Sequence, residues 1–162
     1  MKRVLDVIEK TVTGLSVVLF VVMVFSIFMQ VFLRYALNTG NSWAEEIARY
    51  CFVWLVLLGA SVAMRKGRHM RIDYFINLIP LKIRIVVETV LNLGLIIFLL
   101  VIVRYGSELA GMTHRQLSTG LEMPMSIPYS AISVGGFLIL LFLIESMIIG
   151  YKFNFQKLKE GK

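Results

Sequence analysis

The sequence predicts an all-α membrane protein: four transmembrane helices in a single membrane domain over residues 1–162, with both termini cytoplasmic. Three observations carry this reading. The chain is 58% hydrophobic and only 17% charged, with a mean hydropathy of +0.80, where a soluble domain would carry about a quarter charged residues. Long stretches nearly free of charge recur four times along it. Lysine and arginine gather unevenly in the segments between them. A net charge of +7 and a pI near 9.8 would also suit a nucleic-acid binder. Here, however, the basic residues flank apolar runs, which suits membrane-surface anchors and lipid headgroups. No nucleic-acid partner is expected, and the low charge and Gly/Pro content excludes a disordered chain.

The bilayer core is about 30 Å thick, so a spanning helix needs roughly 20 apolar residues. Span one covers residues 11–33, which hold no charge. That core is too long for a signal peptide and lacks a small-residue cleavage site. Span two covers about 43–64, with its charge-free part from Tyr50 to Met64. Span three covers about 85–103 with Glu88 in its first turn, and span four about 125–149 with Glu145 near its end. Thirteen Lys and Arg residues fall on the side of the two termini and the loop between spans two and three, against four on the other side. That imbalance places both termini in the cytoplasm.

The connections carry their own signals. Asn38-Thr39-Gly40-Asn41 is a turn cluster, and Ser42 followed by Glu45 fits a capping box opening span two. The segment 65–84 mixes Arg65, Lys66, Arg68, His69, Arg71, Lys82 and Arg84 with Met70, Ile72, Tyr74 and Phe75. It reads as an amphipathic segment lying on the interface, with those basic residues and His69 as headgroup contacts. Pro80 breaks it before span three, and Pro124 and Pro128 stand where span four begins.

Polar clusters mark the span ends. Glu45 and Glu46 lie four and three residues before Arg49, so all three can meet on one helix face beside Trp43. They read as contacts for a partner or as an interfacial ion pair, and transport chemistry is the weaker alternative. Arg84 with Glu88, and Arg104 with Glu108, repeat the spacing at the two ends of span three as structural pairs. No charged residue stands at the middle of a predicted span, where one would cost at least about 2.5 kcal/mol. The chain therefore reads as a poor carrier by itself.

Gly59 with Ala63, and Ala131 with Gly135 and its neighbour Gly136, are small-residue pairs one turn apart. They suit close helix packing, within the chain or against another protein. His69 and His114 fall in loops on opposite sides and cannot share a haem or metal. Cys51 is the only cysteine, so neither an internal disulfide nor a cysteine zinc site is possible. No cofactor and no enzymatic chemistry is expected, since no nucleophile–base pair or phosphate loop is visible.

Trp43, Glu45, Glu46, Arg49 and Trp54, then Gly59-Ala60, then Gly67, His69 and Asp73 form a block of rare polar residues at fixed spacing. This block resembles the DctQ-type small membrane subunit of tripartite ATP-independent periplasmic (TRAP) transporters, more loosely over the rest of the chain. The resemblance implies a multi-pass protein of the bacterial inner membrane. Its partners would be a large subunit of about twelve spans, in a heterodimer, and a periplasmic substrate-binding protein. Substrate and sodium sites would lie in the large elevator-type subunit, which the small one braces during symport of an organic acid such as sialic acid or a C4-dicarboxylate. Trp43, Glu45, Glu46, Arg49 and Trp54 would then be interface candidates on the periplasmic side. Two other classes stand beside this one: a small autonomous homo-oligomeric transporter or channel, and the membrane anchor of a redox enzyme.

Overall fold

The computed structural model describes residues 2–36, 42–66 and 81–160. Four long helices account for nearly all of it: α1 Lys2–Ala36, α2 Ser42–Lys66, α3 Leu81–Met112 and α4 Ser126–Glu160. Each is long and apolar enough to cross a membrane, so the predicted four-span architecture is the one observed. The amphipathic segment between spans two and three, with Arg68, His69 and Arg71, lies outside the described residues, as do the side chains of Lys82 and Arg84.

The helices run further than the predicted spans. α1 begins nine residues before residue 11, and α3 continues nine residues past Val103 to Met112. A helix does not stop where hydrocarbon ends, because its backbone bonds are internal and persist in water. Hydropathy marks the lipid-facing part alone.

Neighbours in space do not follow chain order. α1 packs on α2, α2 on α4, and α4 on α3, so the elements form a row in the order α1, α2, α4, α3. α2 and α4 occupy the centre and run in the same direction. One face of α2 (Ala44, Ala48, Cys51, Leu58, Ser61 and Arg65) is buried between α1 and α4. The opposite stripe, including Phe52, Val56, Ala60 and Ala63, is exposed.

Small residues set the seams. A Cβ on Gly135 would come within 2.6 Å of the Leu57 Cβ, so α4 can lie this close to α2 only with glycine there. Gly136 faces Val103 and Ile102 of α3, and Gly106 of α3 faces Ile132 and Ser133. Ala131 is fully buried. The Ser133 hydroxyl donates across the α3–α4 seam to the Val103 carbonyl at 3.4 Å. A methyl group at Gly59 would meet nothing within 4 Å, and Ala63 is exposed. The Gly59–Ala63 pair therefore forms no close-approach seam within the described part of this chain.

Candidate functional site

Two sets of polar ties hold the row, one at each end. At the end carrying the N-terminus, Arg65 in the last turn of α2 is 8% exposed. Its Nε donates to Glu145 Oε2 of α4 at 2.9 Å, and Nη2 reaches Glu145 Oε1 at 3.3 Å. On the other flank the same guanidinium pairs with Asp6 and Glu9 of α1. The planar fork of arginine presents five donors, so one side chain can clamp two helices at once. Phe142, fully buried, lies under the guanidinium at 5.4 Å from the ring centroid, a further favourable contact for a cation. Lys66 adds a looser, exposed pair to Glu9 at 3.8 Å.

This corrects the expectation that Arg65 contacts lipid headgroups. A cation enclosed by three carboxylates has no surface left to offer a phosphate. The sequence conceals the role of Arg65 because its partners lie about 60 and 80 residues away. A signal is present nonetheless: Asp6, Glu9 and Glu145 are three acidic residues near span ends, on the side that otherwise collects lysine and arginine.

At the other end, Glu46 of α2 is 3% exposed. Its Oε1 accepts from the Thr119 hydroxyl and the Gly120 N–H, and Oε2 accepts from the Leu121 N–H, all at 3.0 Å. The connection from α3 to α4 thus folds over the start of α2. The connection begins with a 3-10 turn at Thr113–Arg115. It then closes on itself: Ser118 N–H donates to the Met123 carbonyl at 2.9 Å, and Met125 N–H to the Gln116 carbonyl at 2.8 Å. Glu122 takes a left-handed φ of 53° at the turn, which costs a non-glycine residue some strain. Gly120 is required for space, since a Cβ would stand 2.9 Å from the Ser42 carbonyl carbon and the Trp43 nitrogen.

The expected cluster on one face of α2 separates into two. Glu46 faces inward, with Arg49 only grazing it at 4.0 Å. Glu45 and Arg49 are exposed, and Glu45 accepts from the Gln30 amide of α1 at 3.5 Å. Successive residues on a helix point about 100° apart, which is why adjacent glutamates serve different neighbours. Trp54 Nε1–H donates to the Ile127 carbonyl at 3.2 Å, and the Tyr50 hydroxyl approaches the Met125 sulfur at 3.5 Å. Both fasten the start of α4 to α2. Trp43 is part-exposed beside the loop, and His114 Nδ1 lies 3.2 Å from the Ser126 hydroxyl.

Arg104 and Glu108 form no ion pair with each other among the described residues; both are exposed on α3. The fourfold spacing permits a pair without requiring one.

The buried charges Arg65 and Glu46 join separate elements, and no described group of three or more His, Cys, Asp or Glu could hold a metal ion. Fold and ties together define a small polytopic membrane subunit. The chain belongs to the DctQ component family of the tripartite ATP-independent periplasmic transporters, whose family pattern matches residues 23–152. It is a transporter permease subunit and not an enzyme. A Haemophilus influenzae chain provisionally named TRAP transporter small permease protein is 26% identical over 150 residues, covering 93% of this chain and 91% of that one. The sialic acid TRAP transporter small permease protein SiaQ of Vibrio cholerae is 27% identical over 124 residues, 76% of this chain and 66% of that one. The C4-dicarboxylate TRAP transporter small permease protein DctQ of the same organism is 37% identical over 57 residues, 35% of this chain and 25% of that one. Small subunits of this family pair with large permease proteins, and in some relatives the two are fused.

Proposed function

We propose that this chain is the static brace of a sodium-coupled, binding-protein-dependent TRAP transporter in the bacterial inner membrane. It enlarges the scaffold against which the large elevator-type subunit moves an organic acid. The observation that carries this reading is the use of the buried ionic groups. Arg65 and Glu46 each tie separate elements together across the row, leaving these charges committed to rigidity. A brace needs that, whereas a carrier needs a buried charge that changes partners.

The relatives named for sialic acid and for C4-dicarboxylates both support carboxylate uptake. In the orientation read from the basic residues, the Glu46 loop faces the periplasm. There, exposed Arg49 and Glu45 are available to the large subunit or to a substrate-binding protein. Sodium sites belong to the large subunit in this account.

Proteoliposomes containing the large subunit with and without this chain, supplied with the binding protein and an inward sodium gradient, test the proposal. Uptake of sialic acid or a C4-dicarboxylate should need both membrane proteins and collapse when the gradient is removed. Solute movement by this chain alone would favour the autonomous transporter instead.

A further inference from the structure

The contacts across the seams fix which residues of neighbouring helices stand at one level. Leu57 of α2 lies against Gly135 of α4, and Val103 of α3 lies against Gly136. The Glu9–Arg65 and Gln30–Glu45 ties set Val22 of α1 opposite Val53 of α2. The charge-free helical runs are residues 11–33 in α1, 50–64 in α2, 126–144 in α4 and 89–103 in α3. Their midpoints are Val22, Leu57, Gly135 and Ile96.

The α2 and α4 midpoints therefore touch, but the outer two do not share their level. The α1 midpoint is displaced by four residues toward the loop end. The α3 midpoint is displaced by seven residues, from Val103 to Ile96, toward the terminal end. At 1.5 Å per residue these steps are about 6 Å and about 10 Å in opposite directions. Three interhelical spacings of roughly 9 Å separate α1 from α3, so the apolar belt climbs about 16 Å over some 27 Å.

We infer that the row crosses the bilayer tilted by about 30° within its own plane, with α1 lowered toward the terminal end and α3 raised toward the loop end. An upright row would put Arg104, next to Val103, at the level of the α2 and α4 midpoints. There it would stand exposed in hydrocarbon without a described partner, at a cost of several kcal/mol. Tilt brings Arg104 and Glu108 up to the boundary and lifts the helix beyond them, up to Met112, into water. It also accommodates helices of 32 and 35 residues in a core that about 20 residues would span. The lipid-facing surface is thus an oblique band, and the α3–α4 connection stands above the membrane on its own side. None of this rests on the proposed transport role or on which end is cytoplasmic.

Level pairs of exposed residues test it. Phe52 and Leu109 share a level, as do Leu91 and Ile148. Each is replaced singly by cysteine in a Cys51→Ala background, spin-labelled, and the full chain reconstituted in phospholipid vesicles. Relaxation by a water-soluble nickel complex is then compared with relaxation by oxygen. Tilt predicts severalfold higher nickel accessibility at Leu109→Cys than at Phe52→Cys, and at Ile148→Cys than at Leu91→Cys. Equal accessibility within each pair overturns it. If a variant loses the helical circular dichroism of the parent, the level pair Val56→Cys and Tyr105→Cys replaces it, with Tyr105→Cys the more accessible.

Discussion

Arg65 and Glu145, 80 residues apart in sequence, meet through two hydrogen bonds at 2.9 and 3.3 Å while the other flank of the same guanidinium holds α1. Removing one partner of such a buried pair costs more than the pair itself contributes, because the remaining charge is left without compensation. Arg65→Met removes the cation that Glu145, Glu9 and Asp6 share and should lower stability by about 3–5 kcal/mol. Thermal unfolding in mild detergent checks this. Arg65→Met combined with Glu145→Gln should recover part of the loss. Arg65→Lys should recover little, since an ammonium cannot span the fork.

Glu46 accepts hydrogen bonds from Thr119, Gly120 and Leu121 of the connection between α3 and α4. Glu46→Gln keeps the shape but replaces a charged acceptor by an amide with only one oxygen. A loss of about 1–3 kcal/mol is expected, felt mainly as local opening. Hydrogen exchange at the Gly120 and Leu121 amides should accelerate, with the amides in the middle of α2 unchanged.

Gly135 and Gly59 should respond oppositely. Gly135→Val drives a side chain into Leu57 and should cost about 1–3 kcal/mol by overpacking. Gly59→Val meets open space, so the isolated chain should keep its melting temperature. If the stripe of α2 bearing Gly59 and Ala63 meets the large subunit, Gly59→Val should weaken co-purification alone. Equal melting losses for both variants would contradict the seam described here.

Arg49 is exposed near the start of α2, with Glu46 only at the limit of ion-pair distance. Charge reversal, Arg49→Glu, should therefore leave the folded chain intact and weaken the assembly with the large subunit. Intact assembly together with wild-type uptake would remove Arg49 from the interface.

Much of this architecture is legible in the sequence. The four apolar runs need only the thickness of a bilayer to be found, and Gly135 and Gly136 are readable as a close-approach seam. Gly59 and Ala63 carry the same signature and form no described seam, because spacing reports which residues share a face but not what that face meets. Arg65 is hidden for a related reason. Beside Lys66 and ahead of Arg68 it belongs to a basic run, and only the three-dimensional convergence of Asp6, Glu9 and Glu145 singles it out. Glu46 stands out as a candidate, yet two of its donors are the backbone amides of Gly120 and Leu121, which no residue type announces. Arg104 stands just past the end of a predicted span. Its true level emerges only when α3 is set against Gly136.

Co-purification decides whether this chain is one subunit of a larger permease. The tagged chain is drawn from native membranes in mild detergent and whatever remains bound is identified by mass spectrometry. One very hydrophobic large permease protein is expected, in equal stoichiometry. Recovery of the chain alone, as a homodimer or higher homo-oligomer, would contradict it.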